Sequence, residues 1–325
     1  MGILINERSG QRVILRANHV FGRQGARCDT WLQDQEVSRL HAVIRWSVGR
    51  WFVVDQSRNG SLLDGERLPA GQSVPLTPGQ QLRFGPAETS AWRVADIGPP
   101  VNALVPVNHG LAPIALTRHN LLPSAADPEL SVYEVESGQW IVDDAASSRP
   151  LGDGETVMLG GQPFRLQLAF DTEPTRTSLD LGASEPPLLA FDLSLDEEHT
   201  RLRVLHAGHE TDLGERSHHY CLVTLARKRL ADARAGHDPA AQGWLDSAQL
   251  AKMLGIEASH LNIQIYRARD QLMGAVPTAN ALAQAVERRR GGLRLGGRLA
   301  FEVRRGTQLE GSYRPPRAGE RAQVT

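Results

Sequence analysis

Residues 22–60 read GRQGARCDTWLQDQEVSRLHAVIRWSVGRWFVVDQSRNG. Three turn-rich pieces of that stretch, Gly22-Arg23, Ser38-Arg39-Leu40-His41 and Ser57-Arg58-Asn59-Gly60, are separated by β-type runs such as Arg50-Trp51-Phe52-Val53-Val54-Asp55. Helical periodicity is absent. Working outward, Asn59-Gly60, Asp64-Gly65, Pro78-Gly79 and Phe84-Gly85 recur at about the 8–12-residue turn spacing of sandwich folds. From Ile3 to Val94 the pattern predicts an all-β antiparallel sandwich occupying residues 1–97. Loops at one end of such a fold can converge on one site.

In order and content, Gly22-Arg23, Ser38-Arg39-x-His41 and Asn59-Gly60, with Trp51 to Asp55 between them, resemble the forkhead-associated (FHA) domain family over about residues 3–95. The resemblance implies a reader of phosphothreonine peptides. The residue types suit that chemistry: the Arg23 guanidinium gives charge-assisted, bidentate hydrogen bonds to a phosphate dianion. The Ser38 hydroxyl adds a neutral donor, and the Asn59 amide offers both donor and acceptor to a ligand backbone. By the same resemblance Arg39 shapes the pocket or touches the peptide, while Gly22, His41 and Gly60 hold the loops; Arg58 is a further candidate for peptide binding. Arg58 stands where many members of the family carry threonine.

At roughly 100–200 residues per domain, 325 residues predict two or three domains. A content of 41% hydrophobic and 22% charged residues excludes wholesale disorder. No run approaches the about 18 apolar residues of a membrane span, and the start MGILINERSG has no leader-like pattern, so a cytoplasmic location without a membrane partner is expected. Cys28 and Cys221, single and distant, exclude a disulfide framework and a cysteine-based zinc site. His206, His209, His218 and His219 lack a carboxylate or cysteine at ligand spacing, so no metal is expected. Without a phosphate-binding glycine loop, a Gly-x-Ser-x-Gly elbow or a carboxylate pair in a plausible cleft, a non-enzyme without cofactors is the expectation.

Pro99-Pro100 opens a β-rich middle segment, residues 98–170. It is acidic: residues 97–188 carry 4 Lys/Arg against 12 Asp/Glu. Gly138 to Asp143 and Leu151 to Glu155 echo Gly49 to Asp55 and Leu63 to Glu66, as a degenerate half-repeat or as two unrelated hairpins. The echo lacks the Asn-Gly turn and the Ser-Arg-x-His motif, so phosphate binding is not expected of it. Residues 171–188 read as a linker. Within it Thr175 and Thr177 are candidate phosphosites for docking on Arg23 in cis, and Asp180 follows Thr177 by three.

Residues 189–305 change character. A helix is predicted from Ser217, as N-cap, to Ala235, a second ends at Leu254 before Gly255, and a third runs from Ala258 to about Met273, giving a helix-turn-helix. With the Gly291–Val303 stretch read as a hairpin, the region resembles the winged-helix DNA-binding domains of bacterial response regulators, an α+β architecture. Leu261, Ile265, Ala268 and Leu272 are expected to face inward, leaving Ser259, Ile263, Tyr266, Arg267 and Asp270 outward. Candidate contacts to double-stranded DNA are Ser259, His260, Asn262 and Arg267, with Arg269 flanking them. Arg288, Arg289 and Arg290 at the end of a helix 280–290, and Arg294 and Arg298 on a wing, would meet phosphates. Lys252 to Arg321 carries 13 basic and 6 acidic residues, and residues 306–325 read as a flexible tail.

The resulting expectation is a multidomain signalling protein. It binds phosphothreonine, the product of a Ser/Thr kinase, and couples that event to DNA binding as a transcriptional regulator. The alternative is an interaction scaffold whose C-terminal domain docks or oligomerises through Ile263 and Tyr266.

Overall fold

The computed structural model describes residues 1–86, 88–108, 110–136, 138–144, 147–170, 186–276, 279–289, 291–315 and 323–324. The first strands are β1 (Gly2–Asn6), β2 (Arg12–Ile14), β3 (Asn18–Gly22), β4 (Thr30–Trp31), β5 (Ala42–Ser47), β6 (Arg50–Asp55), β7 (Ser61–Leu63), β8 (Glu66–Arg67), β9 (Ser73–Pro75), β10 (Gln81–Phe84) and β11 (Ala91–Ile97). They form two sheets, ordered β2-β1-β11-β10-β7-β8 and β4-β3-β5-β6-β9. Alternating burial along β1 shows one face turned to the core. The β5–β6 hairpin closes on Val48 and Gly49, both at positive φ, the turn geometry that matches strand twist. Leu4, Phe21, Ile44, Trp51, Val53, Leu82, Phe84 and Trp92 make the core, in which Phe21 stacks on Phe84 with ring centroids 4.7 Å apart.

The strands that follow are β12 (Ala103–Pro106), β13 (Ile114–Ala115), β14 (His119–Pro123), β15 (Pro128–Glu136), β16 (Gln139–Asp144), β17 (Ser148–Leu151), β18 (Thr156–Leu159) and β19 (Gln162–Gln167). Their sheets are ordered β13-β12-β19-β18 and β14-β15-β16-β17. Matched in chain order, β12 and β13 take the places of β1 and β2, β14 to β17 those of β3, β5, β6 and β9, and β18 and β19 those of β10 and β11. The strand order of both sheets thus recurs, without counterparts to β4, β7 and β8.

The chain separates into two compact units, Met1–Thr117 with Asp153–Thr175, and Arg118–Gly152 with Arg176–Thr325. The 98–170 segment is thus shared between units rather than standing alone. Thr175, Thr177 and most of the expected linker lie outside the described residues.

In the second unit, β20 (Leu188–Leu193), β21 (Thr200–His206) and β22 (His209–Glu215) precede α1 (Ser217–Arg234). Next come β23 (Leu245–Asp246), α2 (Ser247–Leu254), α3 (Ala258–Ala275), β24 (Val286–Arg289), β25 (Gly292–Leu295), β26 (Ala300–Arg305), β27 (Gln308–Arg314) and β28 (Gln323–Val324). The large sheet is ordered β22-β21-β20-β26-β27-β28, with β20 and β26 parallel. Asp246 caps α2 by accepting from the Gln249 amide at 3.0 Å, and Gly255 ends it at φ 66°, a conformation glycine adopts without penalty.

Several expectations are corrected here. Ser217 is the first helical residue of α1 rather than its cap; Arg216 occupies that position and gives no side-chain cap. No helix spans 280–290: Asn280–Gln284 is a 3₁₀ turn, and Arg288 and Arg289 lie on β24. The hairpin is β24–β25, whereas the Ala300–Arg305 half of the expected one joins β20. The expected tail contributes β27 and β28, because Gln308 to Arg314 alternates well enough to extend the sheet.

Helix α3 buries two adjacent stripes. Leu261, Ile265, Ala268 and Leu272 enter the main core of the unit. The neighbouring stripe meets the β14–β17 sheet: Met273 packs with Tyr133 and Val135, Tyr266 lies against His119 with ring centroids 4.5 Å apart, and the Arg269 guanidinium sits 4.5 Å over the Tyr133 ring.

Candidate functional site

Loops between β3 and β5 and between β6 and β7 meet at one end of the first sandwich, and hydrogen bonds fix how they meet. The Arg23 amide donates to the Ser38 carbonyl at 3.0 Å and the Gln24 amide to the Arg39 carbonyl at 3.2 Å. This approach requires glycine at 22, where a Cβ would fall 2.2 Å from the Arg39 carbonyl oxygen. Arg23 Nε donates to the Val37 carbonyl at 3.1 Å, which aims the exposed end of the guanidinium outward.

His41 is fully buried. Its Nδ1 accepts from the Ser38 amide at 3.0 Å, so the ring is neutral with its proton on Nε2. Burial holds its pKa below the ordinary histidine value, opposed in part by Asp55 and a backbone bond to Gly60. Asp55, buried beneath the second loop, accepts from Ser57 Oγ and Ser61 Oγ, each at 2.8 Å. Ser57 Oγ in turn accepts from the Gly60 amide at 2.8 Å. Gly60 itself has φ 88°, which restricts that position to glycine.

The polar groups left facing outward form one set. Ser38 Oγ accepts from the Arg58 amide at 3.2 Å, which leaves its O–H free to donate. Asn59 Nδ2 donates to the Glu36 carbonyl at 2.8 Å, leaving its second N–H and its Oδ1 for a ligand. Arg23, Arg39 and Arg58 are exposed, and among the described residues none has a carboxylate partner. Three guanidiniums, a hydroxyl donor and a carboxamide thus sit on loops that meet at one end of the sandwich, a donor set chemically suited to an anionic ligand, without a carboxylate paired to the arginines among the described residues. Arg67 and Trp31 also border the site and carried no motif signal in the sequence. Arg67 lies across Gly60, and Trp31 Nε1 donates to the Arg23 carbonyl at 3.1 Å.

The residues proposed for DNA do not form one free surface. Asn262 accepts from Arg288 Nη2 at 2.7 Å, and Arg288, 6% exposed, lies 3.3 Å from Asp143. Arg294 pairs with Glu287 at 2.6 Å. Arg289 and Arg294 both stack on Trp244, at 4.2 and 4.5 Å from its ring. Arg269 is 1% exposed and bonded to Asp143 at 2.9 Å. Burial lowers the pKa of Arg288, which Asp143 counteracts. Ile263, expected outward, is buried, and Tyr266 is half-buried. His260, Arg267 and Arg298 are exposed. Arg290 and the Ser259 side chain lie outside the described residues.

His218 and His219 both bond Gln271 Oε1, at 2.7 and 2.8 Å. Burial drives His218 down to about 4. Among the described residues no cluster of three or more metal-ligating side chains occurs, and no helix is long and apolar enough to cross a membrane.

Residues 19–85 match the FHA domain family, so the loop cluster belongs to an FHA domain. The chain is 45% identical over 71 residues to a homologue of protein phosphatase 1 regulatory inhibitor subunit PPP1R8 from Arabidopsis thaliana, covering 21% of this chain and 19% of that protein. It is 35% identical over 82 residues to nibrin from Danio rerio, covering 24% of this chain and 10% of that protein. The chain thus spans about a fifth and a tenth of the length of these relatives. Among solved structures, it is similar to Mycobacterium tuberculosis EmbR in complex with a low-affinity phosphopeptide, at 25% identity and TM-score 0.27, covering 30% of this chain and 24% of that one. It is also similar to the N-terminal FHA domain of S. cerevisiae Rad53p in complex with a phosphothreonine peptide, at 21% identity and TM-score 0.26, covering 30% and 91%.

Proposed function

We propose that this protein is a non-catalytic, phosphothreonine-dependent interaction protein. Its FHA domain grips a peptide phosphorylated by a Ser/Thr kinase, and its second unit connects that event to further partners. The observation that carries the reading is the convergence of Arg23, Arg39 and Arg58, without carboxylate partners among the described residues, around the Ser38 hydroxyl and the Asn59 amide. Arg23 holds the phosphate, Ser38 donates to it, and Asn59 orients the ligand backbone. Arg39 and Arg58 add a positive field that favours the dianion over unmodified threonine.

For the second unit we favour protein contacts over DNA reading. A recognition helix must lay an open face in the major groove, and α3 has one stripe in the core and the next against β14–β17. A DNA reading rests on His260, Arg267, Arg289 and Arg298, which are exposed. It predicts affinity that falls steeply with salt.

The test is fluorescence-polarisation binding of a degenerate phosphothreonine peptide library and its unphosphorylated twin to wild type and Arg23→Ala. Selective binding that disappears in the variant supports the reading. Equal binding of both libraries refutes it.

A further inference from the structure

Two side chains at the borders of the phosphate grip have no part in it. Trp31 is 58% exposed, although a residue of that size is buried in most folded chains. Its Nε1 is tied to the Arg23 carbonyl at 3.1 Å, and its Cγ lies 3.8 Å from where a Cβ on Gly25 would stand. The indole is therefore held alongside the phosphate-gripping arginine with apolar surface open to solvent. On the other border, a Cβ on Gly60 would stand 2.7 Å from Arg67 Nε and 2.9 Å from its Cζ and Nη2. This places the Arg67 guanidinium over the shoulder of Asn59-Gly60. Arg67 is exposed and has no acidic partner among the described residues. Glu66 precedes it on β8, where strand alternation turns the two side chains to opposite faces.

Trp31 is bonded beside the residue that would grip the phosphate and Arg67 lies over the loop whose Asn59 would align the ligand, so each stands beside a different part of the peptide grip. A pinned tryptophan supplies contact area at little entropic cost. An unpaired guanidinium favours a carboxylate in bidentate geometry. We infer that the preferred ligand is a phosphothreonine peptide with a bulky apolar side chain on the segment passing Arg23 and Trp31, and a carboxylate on the segment passing Gly60 and Arg67. This inference rests on the phosphothreonine reading of the same site.

The experiment scans every position flanking phosphothreonine in a peptide array, using the full chain as wild type, Trp31→Ala and Arg67→Glu, with an unphosphorylated array alongside. Wild type selects large apolar residues at a position on one side and Asp or Glu on the other. Trp31→Ala weakens the apolar preference about tenfold and keeps the acidic one, whereas Arg67→Glu exchanges the acidic preference for Lys or Arg. Retained phosphate dependence shows that both variants fold. Preferences unchanged in the variants, or both lying on the same side of the phosphothreonine, overturn the inference. So does loss of phosphate dependence in Arg67→Glu, which would make Arg67 part of the phosphate grip itself. Equal binding of phosphorylated and unphosphorylated arrays by wild type, with Arg23→Ala then silent, identifies failure of the underlying reading instead.

Discussion

Replacing Asp143 by alanine removes the one carboxylate that Arg269 and Arg288 share. The Arg269 side chain is 1% exposed, that of Arg288 6% and that of Asp143 3%, so all three charged groups are shielded from water where they meet. The cavity beside them, lined by Asn262, Tyr266 and both arginines, has a volume of about 10 Å³. That is barely the space of one water molecule. Removing one partner of a buried pair costs about 3–5 kcal/mol because an uncompensated charge stays behind. Against a total of about 5–15 kcal/mol for a domain, this threatens the whole attachment of α3 to β14–β17. Asp143→Asn, which keeps an oxygen to accept from Arg269, should lose less. Asp143→Leu combined with Arg269→Met should recover part of the alanine loss, since an apolar pair of similar volume carries no desolvation cost. Hydrogen exchange read by mass spectrometry on the full chain resolves the effect by segment, with protection falling in residues 119–144 and 258–275. A loss below about 1 kcal/mol in Asp143→Ala would refute the reasoning, because the two guanidiniums would then behave as solvated surface groups.

Three shorter predictions follow from the same contacts. Arg23→Lys keeps the charge but not the forked donors, so it should bind phosphopeptide more weakly than wild type and more tightly than Arg23→Ala, with each lost charge-assisted bond worth about 1.5–3 kcal/mol in titration calorimetry. Gly22→Ala forces a Cβ into the Arg39 carbonyl oxygen at 2.2 Å. It should cost about 1–3 kcal/mol in thermal melts and impair peptide binding by displacing Ser38. Burial, with Arg16 secondary, lowers His19 to about 3, and burial, with Arg269 secondary, lowers His119 to about 3. The unfolded chain, titrating near 6.5, takes the proton first, so this contribution to stability is complete above about pH 6.5 and declines as pH falls toward 3. At pH 5 each histidine should cost about 2 kcal/mol in urea titrations, and His119→Gln should flatten the slope.

The loop cluster was legible because its chemistry is local: each motif lies in a turn, and its residue types state what they bind. Asp55 and His41 hold those turns through neighbours within a few tens of residues. The faces of α3 were half legible. Leu261, Ile265, Ala268 and Leu272 form an apolar stripe that announces burial, but Ile263 and Tyr266 read as outward-facing and Asn262 and Arg269 as flanking contacts to DNA. What buries Arg269 is Asp143, 126 positions earlier, and a helical pattern carries no sign of so distant a partner. Trp31 and Arg67 were missed for the converse reason. Their significance lies in what they stand beside, the Arg23 carbonyl and the Gly60 backbone, rather than in their own type or spacing.

Two copies of one strand plan in a single chain create a hazard during folding, since a hairpin from one copy can be captured by the sheet of the other. β6 and β16 share the spacing Trp51-x-Val53-x-Asp55 and Trp140-x-Val142-x-Asp144, and Trp51 to Val54 and Trp140 to Asp143 have the same succession of buried and half-buried positions. The copies diverge at the last of these four, where β6 carries Val54 and β16 carries Asp143. An exchanged β16 would bury a carboxylate where Val54 sits, out of reach of Arg269 and Arg288, at a penalty of several kcal/mol. The exchanged β6 would take from Arg269 and Arg288 the Asp143 carboxylate that both approach. Asp143 thus marks β16 for its own place, where Arg269 of α3 and Arg288 of β24 stand opposite it.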